Sequence, residues 1–294
     1  MPIRIRDWMA AISLVVAAPW LSGEPTRAIG QGFEVVIVTQ EPLPEDPLSA
    51  AWESAPEFLC PLVEQTREEP QLTKPSTEEV SVRAITDGRR LAIRLQWADT
   101  TRDELADAAR FCDACAIQLP AKIEAGTSPG VLTAAMGQPG NPVEITYWSA
   151  SSQASVNGRG DSLNDLYPNA AVDHYPFQAP SLRAGSPEQR AMALRYAPAR
   201  ALGNPVAGPH ATPVQDLIAE GPGTIAASPR SRSTGQGQRT EDGWVVVIAR
   251  PLPQGLTAES PSFIAFAVWE GSNGEVGSRK MITGWVPLIM QKVP

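Results

Sequence analysis

Short apolar runs broken by turn residues set the rhythm of this chain. Leu91–Trp97 reads LAIRLQW, with Leu91, Ile93, Leu95 and Trp97 on one side of an extended backbone and Ala92, Arg94 and Gln96 on the other. Val80–Ile85 alternates in the same way, and Asp87-Gly88 between the two runs predicts a hairpin. Phe33–Thr39, Phe111–Leu119 and Val143–Trp148 are further strand-like runs. Gly243–Arg250 (GWVVVIAR) and Ser262–Glu270 (SFIAFAVWE) are apolar at nearly every position, so both of their faces are expected to be covered. Loops join these runs, with short helices predicted near Leu48–Glu53, Ser186–Tyr196 and Pro213–Ala219, and an exposed polar loop over Pro222–Gln238. The fold class that follows is mainly β, an antiparallel β-sandwich with short helices inserted in long loops.

Residues 1–28 break the rhythm and read as a signal peptide. Arg4 and Arg6 precede an apolar run, Met9–Ala18, that is too short to span a membrane. Cleavage is expected after Gly23 or Ala28, with export to the periplasm. No later segment approaches the roughly 18 apolar residues of a membrane span. Residues 29–294 are then expected to form a single β-sandwich domain.

Composition agrees with this reading. A hydrophobic share of 43 % is ample for a core, and 29 Pro with 23 Gly leave little room for long helices. A net charge of −8 without a basic patch argues against nucleic acid as a partner.

Recognisable catalytic chemistry is sparse. The chain has no G-x-S-x-G, no H-E-x-x-H and no phosphate-binding glycine loop. Cys112-Asp-Ala-Cys115 is a C-x-x-C, but Ala116 stands where covalent haem attachment needs His. On a strand, Cys112 and Cys115 point to opposite faces; a disulfide from Cys60 to one of them is one option, and buried free thiols are the other. His174 and His210 sit in Pro/Gly-rich loops, and Asp103, Glu104, Asp107 and Asp113 read as a solvated acidic face.

Lysine usage singles out one residue. Of the 24 basic residues only Lys74, Lys122, Lys280 and Lys292 are lysines. Arg keeps its proton and has no free lone pair, whereas a buried Lys can lose its proton and bind a metal. Lys280 follows the apolar run to Glu270 and a Gly-rich turn; by itself it reads first as an ordinary surface lysine in a turn, with metal ligation as the alternative.

Eight stretches in order resemble the haem b-binding γ subunit of periplasmic molybdenum enzymes of the dimethyl sulfoxide reductase family, such as ethylbenzene dehydrogenase, dimethylsulfide dehydrogenase, and chlorate and selenate reductases. They are LAIRLQWADT (91–100), DACAIQLP (113–120), MGQPGNPVEITYW (136–148), AVDHYPF (171–177), DLIAEGPGT (216–224), GWVVVIARPL (243–252), AFAVWEG (265–271) and KMITGW (280–285). The C-x-x-C is not part of that pattern.

The resemblance implies one non-covalent haem b with Met136 and Lys280 as axial ligands of the iron. Burial against Trp285 and Phe266 would help Lys280 shed its proton. Gly137 would let the backbone approach the porphyrin. Arg250 is a candidate partner for a haem propionate, with a structural salt bridge as the alternative. The implied function is electron transfer without catalysis. Electrons would pass between the iron–sulfur β subunit of a complex that also holds a molybdopterin α subunit and a soluble carrier such as a c-type cytochrome. A second reading, from the residues alone, is a ligand- or carbohydrate-binding sandwich with Trp52, Trp97, Trp148 and Trp269 as a platform.

Overall fold

The computed structural model describes residues 33–105, 109–123, 135–160, 183–202, 210–229 and 231–292. The leader lies outside these residues. The first strands are β1 (Val35–Thr39), β2 (Phe58–Pro61), β3 (Val63–Glu64), β4 (Glu79–Thr86) and β5 (Arg90–Ala98). Next come β6 (Ala114–Pro120), β7 (Val143–Ser149) and three helices, α1 (Ala150–Val156), α2 (Pro187–Tyr196) and α3 (Pro198–Ala201). The remaining strands are β8 (Val214–Ala219), β9 (Ala226–Ala227), β10 (Thr234–Arg239), β11 (Gly243–Pro251), β12 (Ser262–Trp269), β13 (Met281–Ile282) and β14 (Val286–Met290).

Hydrogen-bonded neighbours run β10-β11-β5-β4-β1-β14-β12-β6-β7-β8-β9 in one continuous path. The path folds back on itself as two layers. Val82, Ile93, Leu95, Val246 and Ile248 of β4, β5 and β11 share one core with Ile117, Trp148, Phe266 and Val268 of β6, β7 and β12. Alternation explains the division. Trp244, Val246 and Ile248 point inward, while Val247 and Ala249 point outward, where Trp52 and Ala55 cover them. The all-apolar runs are therefore covered on both faces, as expected.

The structure refines the expectation in three places. β1 lies parallel to both β4 and β14, so the sheet is mixed; the other strand pairs among the described residues are antiparallel. Residues 214–219 form a strand and not a helix. Pairing with β7 from Trp148↔Val214 to Val143↔Ala219 engages a whole open edge, more than a helix of that length can offer its backbone. Part of the expected polar loop is β10, paired with β11 along its length. Its glycines hide it from a pattern search: a Cβ on Gly237 would collide with the ring of Trp148, and one on Gly235 with Val214. Other elements lie close to expectation. The 3₁₀ turn is Ala50–Ser54, and α2 is capped by Ser186, whose hydroxyl accepts from the Gln189 N–H, with Pro187 in the first turn.

Candidate functional site

The outer face of the second layer carries its own apolar cluster. Ala114 and Ala116 of β6, Val143 and Ile145 of β7, Ala219 of β8 and Trp269 of β12 form it. Met136, Tyr147, Leu217, Ala267 and Trp285 pack against it. Near its middle β12 contributes Ala267, and β6 contributes Ala116 and Gln118, which stands opposite Ala265 and Ile145. Ala265, by alternation, joins Ala267 on that side. Trp269 is fixed from two sides. Its indole Nε1 donates to the Gly277 carbonyl at 3.1 Å, and Tyr147 meets its ring edge-on with centroids 5.5 Å apart.

Met136 enters this face from one end. It sits in the loop ahead of β7 with φ 56°, in the left-handed region that a non-glycine residue rarely adopts. Gly137 follows with φ 82°. A Cβ at Gly137 would lie 2.8 Å from the Ala219 carbonyl oxygen and 3.0 Å from that of Asn141. The close approach that requires glycine is thus to the chain's own backbone. The Gly221 N–H donates to the Met136 carbonyl at 2.8 Å and pins the same turn. Backbone constraint from two sides therefore sets where the Met136 side chain begins its path onto the cluster.

Lys280 enters from the other end. Its Nζ stands 5.0 Å from the centroid of the Trp269 ring. Among the described residues it has neither an ion pair nor a hydrogen bond to that amine, and burial pulls its pKa down to about 8. Its neighbour Met281 pairs with Val268 and points the opposite way, into the main core at 1 % exposure. Phe266 also lies in that core, so it is not the aromatic partner of Lys280; Trp269 is. Trp285 does pack on the outer cluster. The row of Trp269, Ala114 and Ser149 and the row of Pro120, Val143 and Ala219 mark the two ends of the face. The length of β7 separates them, about 20 Å at the rise of an extended strand. The structure thus brings both residues to the border of one apolar face, from opposite ends.

Arg250 is not part of that face. It follows Ile248 on the inward side of β11 and forms an ion pair with Glu144 of β7, across the two layers. The structural salt bridge is therefore the arrangement present, although Arg250 Nε and Nη1 are buried without partners. Of the two histidines, His174 lies outside the described residues and His210 stands in the loop ahead of β8.

The remaining sequence candidates resolve as follows. Cys60, Cys112 and Cys115 are all free, so no disulfide links Cys60 to the pair. Burial raises the Cys60 thiol to about 12 and the Cys112 thiol to about 11, which makes both unreactive at neutral pH. Trp52, Trp97, Trp148 and Trp269 are buried, so they present no aromatic platform to a sugar. Asp113 is fully buried rather than solvated, Asp103 and Glu104 are half-buried, and Asp107 lies outside the described residues. Burial raises the Asp113 carboxyl to about 7 and the Glu270 carboxyl above its ordinary range. Sequence spacing gave no sign that Asp113 meets Asp99 and Glu270, because the three come from distant segments.

Comparison with known proteins supplies context for this geometry. The family model described as ethylbenzene dehydrogenase matches residues 49–281. The chain is 24 % identical over 258 residues to a protein of Haloferax mediterranei provisionally named respiratory nitrate reductase heme subunit ORF7, covering 85 % of this chain and 70 % of that one. It is also 24 % identical over 287 residues to the chlorate reductase subunit gamma of Ideonella dechloratans, covering 94 % and 93 % of the two chains. Among solved structures, a family 9 carbohydrate binding module from Caldicellulosiruptor kristjanssonii superposes with a TM-score of 0.42 at 7 % identity, over 88 % of this chain and 94 % of that one.

Proposed function

Because the chain belongs to the ethylbenzene dehydrogenase family, we propose that it is a haem-carrying electron-transfer subunit whose iron is held between Met136 and Lys280. One observation carries the reading: Met136 and Lys280, distant in sequence, both lie at the border of one apolar face, so both would be available to hold a haem placed on it. The donor chemistry fits. Lys280 offers an amine with a depressed pKa and, among the described residues, no competing carboxylate, and Met136 offers a neutral thioether. Ala116, Ala265 and Ala267 keep that part of the face low, and Trp285 Nε1, buried and unpartnered among the described residues, is available as a donor to a group bound there.

Bound there, one non-covalent haem b supplies an iron centre that takes up and releases single electrons. The chain's own residues bind and orient it and keep water from it. Neither ligand adds negative charge, which favours the reduced iron. The names of the relatives, a heme subunit and a gamma subunit of chlorate reductase, support a place in a larger reductase complex. In that complex the chain relays electrons between an iron–sulfur subunit, itself joined to a molybdopterin subunit, and a soluble c-type cytochrome. It performs no catalysis itself. The leader-like segment supports a periplasmic location.

A visible spectrum of the purified protein, followed by acid-acetone extraction, tests the cofactor. A Soret band that leaves with the extracted haem is expected. Haem that remains covalently attached, or no Soret band after haem supplementation, would overturn it.

A further inference from the structure

Asp99 follows β5, Asp113 precedes β6 and Glu270 follows β12, and one carboxylate oxygen from each lies within 4.8 Å of the others. Asp113 is 0 % exposed and Asp99 4 %. Among the described residues, none of the three forms an ion pair. Glu270 is half-buried, and three carboxylates this close repel one another strongly when ionised.

Neutral donors answer only part of this charge. Asp113 Oδ2 accepts from the Trp244 indole and the Asp103 N–H, both at 2.9 Å, and Oδ1 accepts from the Gly271 N–H at 3.0 Å. Glu270 Oε1 accepts from Ser272 and from the Thr101 hydroxyl. Asp99 Oδ1 accepts from the Thr101 N–H at 2.7 Å and from its hydroxyl at 3.2 Å. Asp99 Oδ2 has no partner although it is buried, and so does Asp103 Oδ2 nearby. A buried carboxylate oxygen left without a donor is costly, and a cation removes that cost.

We infer that Asp99, Asp113 and Glu270 form a binding site for one hard divalent cation, calcium. Calcium takes oxygen ligands at about 2.3–2.6 Å, so two oxygens on one ion are at most about 5 Å apart, and the observed spacing falls within that limit. The group contains no sulfur or nitrogen donor, which disfavours zinc and copper. Asp99 belongs to the layer of β4, β5 and β11, while Asp113 and Glu270 belong to that of β6, β7 and β12. The ion would therefore clamp the two layers together at this end. Glu270 directly follows Trp269, so the clamp also steadies the ring beneath Lys280.

The test uses the purified full chain, stripped with a calcium chelator. Calorimetric titration with calcium chloride is expected to show one site per chain, and added calcium is expected to raise the Tm by several degrees. Terbium at the same site should emit on excitation of tryptophan, because Trp244 touches Asp113, and calcium should displace it. Asp99→Asn and Glu270→Gln should each weaken calcium binding tenfold or more. Without calcium both should be at least as stable as the parent, since each removes a repelling charge. Stripped parent protein that neither takes up calcium nor sensitises terbium would overturn the inference, and the carboxylates would then share protons instead.

Discussion

The amine nitrogen of Lys280 lies 5.0 Å from the centre of the Trp269 ring, and Trp269 belongs to the same apolar cluster that receives Met136. The lysine is thus seated on an aromatic face, with no carboxylate among the described residues to hold its charge.

Lys280→Arg keeps the charge and removes the lone pair. The expected result is loss of haem, or a shift to five-coordinate or high-spin iron. Met136→Leu should act in the same direction, with a packing cost below about 1.5 kcal/mol. Met281→Leu is the control, since Met281 faces the main core, and its spectrum should match the parent. A Lys280→Arg protein with an unchanged spectrum and potential would remove Lys280 from the site.

Gly137→Ala should be far worse than Gly140→Ala. Both positions have positive φ, but only Gly137 also faces a carbonyl oxygen, that of Ala219, at 2.8 Å; Gly140 has open space. Backbone strain of about 1 kcal/mol applies to both, and the clash should raise the cost at Gly137 to about 2–3 kcal/mol. Thermal melts of the two variants decide this. Haem retention should fall with Gly137→Ala alone, because Met136 shares its turn.

In haem-free protein, stability should climb with pH between about 8 and 10.5. Folding lowers the Lys280 pKa to about 8, so in this window the unfolded chain binds the proton that the folded one has released. Below about pH 8 both states hold it and the contribution is flat. The slope from this one group cannot exceed about 1.4 kcal/mol per pH unit. Urea midpoints of the parent and of Lys280→Met, compared across pH 7–10.5, isolate it; equal slopes would contradict the burial of Lys280.

Arg250→Met should cost stability and leave the haem spectrum alone. Arg250 bridges the layers to Glu144 on the inward side, away from the Met136–Lys280 face. Glu144 is half in solvent, so the loss should be modest, about 1–2 kcal/mol. A changed reduction potential in this variant would bring Arg250 back as a propionate partner.

Elements whose own pattern sets their pairing could be read from sequence. The strict alternation of Leu91–Trp97 and the continuous apolar runs of β11 and β12 translate directly into faces and layers. β10 could not, because TGQGQR is a strand only where Trp148 and Val214 leave no room for a Cβ. The parallel pairing of β1 was equally hidden, since direction depends on distant partners. Lysine scarcity and motif resemblance singled out Met136 and Lys280 as candidates, and the opposite orientation of Met281 followed from alternation. The seat on Trp269 was not legible, nor was the meeting of Asp99, Asp113 and Glu270, because both are made by strand ends that tertiary pairing alone brings together.

Pairing of β1 with β14 has a kinetic consequence. Val35 finds its partner in Leu288, so one of the earliest strands to emerge during synthesis waits for almost the last. Until then the edges of β1 and β12 that β14 will fill are open, and open edges invite pairing between chains. Closure at such long range also slows folding. A chain interrupted before Leu288 is therefore an aggregation hazard rather than a smaller working protein, and a factor that shields these edges should help most in the last moments of synthesis.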